Sequence, residues 1–255
     1  MKKFRGIYLK NDKEIGLLRE ANRFVSLILD MLGESVKSGI STMDLEDLAA
    51  KACEDFGVDP AFKGYHGFPF VLCCSVNEEI VHGFPSKERI LKDGDIISID
   101  MGVVYKGFVG DSARTFAVGS IPESTQKLLD VTYESLMKGI EQARPGNNLY
   151  DISRVVQEHA ESNGFGVVRR FVGHGIGRNM HEKPEVPNFV PVGLPGVALK
   201  TGMVIAIEPM VTVGSYEVEI LSDNWTAVTK DRKLSAHFEH SIAITSDGPM
   251  ILSLS

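Results

Sequence analysis

Cysteine is scarce in this chain: three in 255 residues, Cys53, Cys73 and Cys74, two of them adjacent. That number and spacing exclude a disulfide framework and a CxxC zinc site, and they point to a reducing compartment. Positive charge is in deficit as well. Lysine and arginine total 27 against 34 aspartates and glutamates, a formal net charge of 27 − 34 = −7. A general phosphate-neutralising surface for nucleic acid is therefore not expected. Long apolar runs are missing too. The greasiest stretch, FVSLILDML (24–32), is too short to cross a bilayer and carries Asp30. The basic start MKKFRGIYLKNDKEIG has no apolar h-region behind it, so neither secretion nor membrane spanning is expected. What remains is an ordinary globular composition, 43% hydrophobic, at a length ample for a sizeable buried core.

The order of predicted elements runs through the chain twice. Ile15, Leu18, Val25, Ile28, Leu29, Leu32 and Val36 recur near the helical period, and Asn11 with Glu14 fits a capping box at the start of that helix. A shorter helix, STMDLEDLAAKACEDFG (41–57), closes at Gly57, where helices favour a left-handed residue. A segment rich in glycine, proline and aromatics, Gly64 to Pro85, leads to a strand in LKDGDIISID (91–100). MGVVYKGFVGDSARTFAV (101–118) then alternates as strands joined by a glycine-containing turn. In the second half, Pro122 suits the first turn of a helix that runs to Pro145 and Gly146, and a short helix ends at Gly164.

LKTGMVIAIE (199–208) repeats LKDGDIISID at an offset of 108, and the short helices match at 107, pairing Gly39 with Gly146, Asp44 with Asp151 and Gly57 with Gly164. Two unrelated coincidences would not share a register to within one residue. We read an internal duplication, about 11–116 and 121–245, of a helix, helix, strand unit. The expectation is one compact α/β domain over 1–255, with a ligand site where the halves face each other.

Each copy of the repeated strand ends in an acid. Alternation puts Ile96, Ser98 and Asp100 on one face and Ile97 and Ile99 on the other, with Val204, Ala206 and Glu208 as counterparts. Asp111 in FVGDSARTF and Glu239 in SAHFEHSIAIT stand on following strands, and His174 lies among glycines in FVGHGIGRNMH. If four such acids converge, they cannot all ionise without cations. Two divalent ions would balance them. Oxygen ligands with one imidazole favour manganese, iron, cobalt or zinc in a catalytic site over a structural thiolate zinc.

The stretches YHGFP, SVNEEIVHGFP, DIISIDMG, GDSARTF, GHGIGRNMHEKP, IAIEPM and HFEHSIAIT, spread over most of the chain, resemble the type I methionine aminopeptidases. That resemblance implies the pita-bread fold, two pseudo-symmetric halves around a central antiparallel sheet. It implies a two-metal centre of Asp100, Asp111, His174, Glu208 and Glu239, in which Asp100 holds one ion, His174 and Glu208 the other, and Asp111 and Glu239 bridge. Such a centre acidifies a bound water. Glu208 then stands as general base, His181 as donor to the scissile carbonyl oxygen, and His82 near the scissile nitrogen. The side-chain slot is implied to include Phe62, Tyr65, Phe68, Cys73, His82, Met180, His181 and Trp225. Phe62 stands where cysteine is frequent, Phe68 where tyrosine is and Met180 where phenylalanine is, which keeps the slot apolar and alters its rim.

The implied activity is removal of the N-terminal methionine from nascent proteins in the cytoplasm, with a small second residue preferred. A monomer without an N-terminal zinc-finger extension, in transient contact with the ribosome, is the expected form. His66 aligns with His174 at offset 108 but is assigned no metal, and His159 is expected at the surface. His237 and His240 are read as orienting partners of Glu239, and Cys73 and Cys74 as buried thiols facing opposite ways. Two rivals differ in consequence: a proline-directed pita-bread peptidase, which commonly carries a large N-terminal domain, and a non-catalytic pita-bread binding module, which should lack ligands.

Overall fold

The computed structural model describes residues 2–254. Helix α1 (Asp12–Ser35) starts at Asn11, whose side chain accepts from the Glu14 N–H while Glu14 accepts from the Asn11 N–H. Helix α2 (Thr42–Phe56) is capped the same way by Ser41 and Asp44, and it closes at Gly57 in the left-handed conformation. Helix α3 (Glu123–Glu141) and helix α4 (Leu149–Ser162), the latter capped by Asn148 and Asp151, give the second half the same pair. Each such cap is worth about 1 kcal/mol.

Two boundaries differ from expectation. Pro122 is the residue before α3 rather than its first turn, and α3 stops at Glu141, short of Pro145. Arg144 precedes a proline and so disfavours the helical region. The chain tightens beforehand through Gln142 N–H to Gly139 O and Ala143 N–H to Ile140 O.

Strands Ile96–Tyr105 and Phe108–Ala117 form a hairpin in register Asp100↔Ala113 and Gly102↔Asp111, with Leu72–Val76 antiparallel on the other side. Period-2 alternation sorts their side chains. Ile97, Ile99, Met101 and Val103 pack against α1 and α2 in one core, which leaves Ser98 and Asp100 on the opposite face. The second half builds a longer version. Val204–Ile207 and Met210–Thr212 run antiparallel to His240–Thr245 and Ser235–His237, and the segment between them carries the extra strands Val218–Ile220 and Ala227–Thr229. Met203, Ile205 and Ile207 pack on Leu136, Ile140, Ile152 and Val156 of α3 and α4.

The halves meet along Phe108–Ala117 and Ser235–Thr245. Glu239 N–H donates to Ala113 O, and His237 N–H to Thr115 Oγ1. Ser112, Thr115 and Ser241 hydroxyls donate to the carbonyls of Glu239, His237 and Asp111. Hydroxyl side chains thus bridge where a continuous ladder is not made. Helix α1 lies so close over this seam that a Cβ on Gly110 would stand 2.5 Å from the Ala21 carbonyl carbon.

Candidate metal centre and substrate cavity

The seam delivers the acids. Asp111 and Glu239 sit on its two strands, and Asp100 is one strand back, opposite Cys73 and Ala113. Glu208 follows Val204–Ile207, and His174 is the middle of Gly173–Gly175. Backbone groups of these residues are held from outside: Asn22 of α1 accepts the Asp111 N–H at 3.2 Å, and the Asn188 amide donates to the Glu208 carbonyl at 3.0 Å.

Ligand atoms of Asp111, His174 and Glu239 all lie within 4.8 Å of one another, and the three residues are buried. His174 Nε2 is 3.6 Å from Asp111 Oδ2 and 3.7 Å from Glu208 Oε1. These gaps are too long for hydrogen bonds. They suit donors sharing an ion, since two atoms each ~2.1 Å from a tetrahedral metal are ~3.4 Å apart. The tautomer agrees. His174 Nδ1 lies 3.0 Å from the Gly175 carbonyl oxygen, which can only accept, so Nδ1 carries the hydrogen and Nε2 offers a lone pair to the carboxylates.

Burial pushes Asp100 up to about 7. Asp111, Glu208 and Glu239 are driven well above the ordinary carboxylate range, by burial first and then by their neighbours' charge. Burial lowers His174 and His82 to about 4 and His237 to about 3, so all three are neutral imidazoles at pH 7. The site is thus a set of crowded acids and neutral donors, short of positive charge.

A cavity of about 220 Å³ opens above this floor. All thirteen residues expected at the site line it: Asp100, Asp111, His174, Glu208 and Glu239, then His82 and His181, and Phe62, Tyr65, Phe68, Cys73, Met180 and Trp225. Phe68 packs edge-on to Trp225 at 5.1 Å and to Phe84 at 5.5 Å. His82 takes a left-handed backbone, φ 61°, a conformation costly for a residue with a Cβ. The tight course of the next residue accompanies it: a Cβ on Gly83 would lie 2.3 Å from the Cys74 carbonyl oxygen. His181 packs edge-on to His174, ring centroids 4.3 Å apart, and its Nδ1 is 2.8 Å from the Tyr65 hydroxyl.

Four lining residues are not singled out by the sequence motifs as parts of the cavity: His66, Val81, Phe171 and Val172. Phe171 packs edge-on against His82 at 5.3 Å, and its place directly before VGHG is the signal that could have found it. Cys74 points away into the helix-side core, as adjacent strand residues must, while Cys73 faces the cavity. Other histidines depart from expectation. His240 turns away from the acids to Ser253, with Nδ1 2.7 Å from its Oγ, and His237 stands 3.7 Å from Glu208 rather than bonding Glu239. His159 is half-buried beside Glu134 rather than free at the surface.

A sequence profile of metallopeptidase family M24 matches residues 16–246. The chain belongs to metallopeptidase family M24. This M24 chain is 52% identical over 248 residues to a methionine aminopeptidase of Clostridium acetobutylicum, an alignment covering 97% of this chain and 99% of the relative. It superposes on the methionine aminopeptidase of Thermotoga maritima with a TM-score of 0.95 at 44% identity, covering 98% of this chain and 100% of that one. An Xaa-Pro dipeptidase from Bacillus anthracis reaches a TM-score of 0.77 at 20% identity, with 62% of its length covered, and that likeness shows the shared pita-bread fold alone.

Membership of this family carries dependence on a divalent metal, and the residues fit one. The buried oxygens Asp100 Oδ1, Asp111 Oδ1 and Glu239 Oε1 have no hydrogen-bond partner among the described residues. A buried carboxylate left so costs several kcal/mol, of order 3–5, when its charge has no partner. Cations are the partners that this arrangement lacks.

Proposed function

We propose that the chain is a metal-dependent aminopeptidase that removes the N-terminal methionine of newly made proteins, with a small second residue preferred. The observation that carries this reading is the cavity itself: an apolar slot of Phe62, Phe68, Met180 and Trp225 that ends on the acid cluster. Near-full-length similarity to proteins named methionine aminopeptidase supports the same substrate. The reaction takes place on nascent chains in the cytoplasm, with the protein a monomer in transient contact with the ribosome. Among the described residues no helix is long and apolar enough to cross a membrane.

Two divalent ions, drawn from cobalt, manganese, iron and zinc, fit the donor set. Asp100 would hold one, and His174 and Glu208 the other, with Asp111 and Glu239 available to both. When bound, such ions supply an acidified water and a Lewis acid for the carbonyl. The chain's own groups do the rest. The cavity takes the thioether side chain and excludes bulk water, while a free α-amine is drawn to the acids. Glu208 would accept a proton from such a water and pass it toward the departing amine. His181 donates a hydrogen bond to the carbonyl oxygen as negative charge develops there. His82, kept neutral by burial, lies beside the scissile nitrogen and orients it.

Mass spectrometry of peptides incubated with metal-loaded protein tests the reading. Met-Ala-Ser should lose methionine rapidly, Met-Arg-Ser poorly and N-acetyl-Met-Ala-Ser hardly at all. Preference over leucine at the first position should be modest, since about one methylene in an apolar slot discriminates by ~1–3 kcal/mol. Efficient cleavage of the acetylated peptide, or preference for Xaa-Pro bonds, overturns the assignment.

A further inference from the structure

One buried ion pair outside the acid cluster joins parts of the chain 172 positions apart: Lys10 Nζ lies 2.7 Å from Glu182 Oε2. Both side chains are almost fully buried, 2% and 5% exposed. A buried pair of this kind is weak evidence of net stabilisation, because desolvation of two charges offsets much of their attraction. Its position is more informative. Glu182 directly follows His181, and its other oxygen, Oε1, accepts the backbone N–H groups of Arg178 at 3.0 Å and Asn179 at 3.3 Å. The turn that presents Met180 and His181 to the cavity is therefore folded back onto one carboxylate, and Lys10 holds that carboxylate.

Lys10 is itself fixed. Its N–H donates to the Gly202 carbonyl at 2.7 Å, and Gly202 N–H donates to Ile244 O, so the N-terminal segment is tied to the second half of the sheet. The fit is close. A Cβ on Gly177 would stand 2.5 Å from Glu182 Oε1 and 2.7 Å from Lys10 Cε. Val109 N–H donates to Gly177 O at 2.8 Å, tying the other end of the turn to the seam strand that carries Asp111.

We propose that Lys10 is a positioning residue for the reaction, acting through Glu182 to hold the 177–181 turn so that His181 meets the scissile carbonyl. The proposal rests on the aminopeptidase reading above. A rigid anchor is needed there because a misplacement of about 1 Å costs up to ~100-fold in rate. The N-terminal segment, whose Lys10 does not line the cavity, is on this account part of the active-site scaffold.

A double-mutant cycle on the metal-loaded enzyme tests it, with Met-Ala-Ser as substrate and Lys10→Met and His181→Ala as the two changes. Lys10→Met should lower kcat by about 10- to 100-fold, with KM changed less and metal content equal to wild type. In the His181→Ala background the same change should cost little more, since residues acting as a unit are not additive. Equal losses in both backgrounds, or full activity of Lys10→Met, overturn the proposal. Should Lys10→Met fail to fold, Glu182→Gln carries the same cycle, because its amide oxygen still accepts from Arg178 and Asn179 while an NH2 group replaces the charged acceptor facing Lys10. Failure of both to fold as loaded enzyme assigns the pair to the fold alone and also overturns it. A wild-type enzyme that releases no methionine defeats the aminopeptidase reading instead, which separates the two failures.

Discussion

The Tyr65 hydroxyl and Nδ1 of His181, 116 positions apart in sequence, are hydrogen-bonded at 2.8 Å. Burial raises the pKa of Tyr65 and lowers that of His181. The phenol therefore keeps its proton at neutral pH and the imidazole is uncharged. With Tyr65 donating to Nδ1, the imidazole hydrogen resides on Nε2, the nitrogen left to meet a substrate. Tyr65→Phe should lower kcat about 5-fold, the equivalent of one neutral hydrogen bond at ~1 kcal/mol, with metal content unchanged. Steady-state kinetics paired with metal analysis checks this. An unaltered kcat would remove Tyr65 from any role in setting the His181 tautomer.

The two neighbouring histidines should separate cleanly. His174 presents Nε2 to Asp111 and Glu208, whereas His181 is bonded to Tyr65 and borders the cavity. His174→Ala should purify with less metal. His181→Ala should retain its metal and lose turnover by about 10²- to 10³-fold, as for loss of an oxyanion donor. Equal metal content together with equal activity losses would show that the roles are assigned wrongly.

Met180 is 5% exposed and lies on the cavity wall, next to His181. Met180→Ala should reduce kcat/KM for Met-Ala-Ser by 10- to 200-fold, roughly 1–3 kcal/mol of apolar contact, and narrow the preference for methionine over smaller first residues. A loss of thermal stability with kcat/KM unchanged would reduce Met180 to a packing residue.

Local rules carried much of the fold. The Asn11 and Glu14 cap, the Gly57 stop and the facing of Ile97 and Ile99 against the helices follow from short-range spacing, so sequence alone revealed them. The duplicated strand likewise points to Asp100 and Glu208, because each copy ends in an acid at the same register. Their assignment to roles came from family motifs, since spacing does not say which acid meets which ion. What is not legible in the sequence is set by tertiary contact. Asn22 on the Asp111 N–H, the hydroxyl bridges of Ser112, Thr115 and Ser241, and Lys10 on Glu182 span 89 to 172 positions with no periodic pattern to reveal them. His240 shows the reverse. Adjacent to Glu239 in sequence, it is turned by strand alternation toward Ser253.

The acid cluster predicts how stability depends on pH once metal is removed. Asp100 is raised to about 7 and Asp111, Glu208 and Glu239 are raised further above their ordinary values, so the folded chain holds these protons after the unfolded chain has released them. Stability from these groups therefore falls as pH rises from about 4 through their folded pKa values. The buried histidines act with opposite sign. His82 and His240 at about 4 and His237 at about 3 stay neutral in the fold, so they favour folding increasingly as pH rises to the unfolded histidine pKa of about 6.5. Below about pH 6.5 the two sets oppose each other, and above it only the carboxylates remain. Chelated protein should accordingly lose Tm from about pH 6.5 to 8.5, while metal-loaded protein, whose carboxylates are ionised against cations, should hold nearly constant. The gap between the two should widen with pH, and activity should be absent from the chelated sample throughout. Thermal melts at three pH values, with and without chelator, decide the matter: a chelated Tm that rises over this range, or full activity without metal, rules out a cation-balanced carboxylate centre.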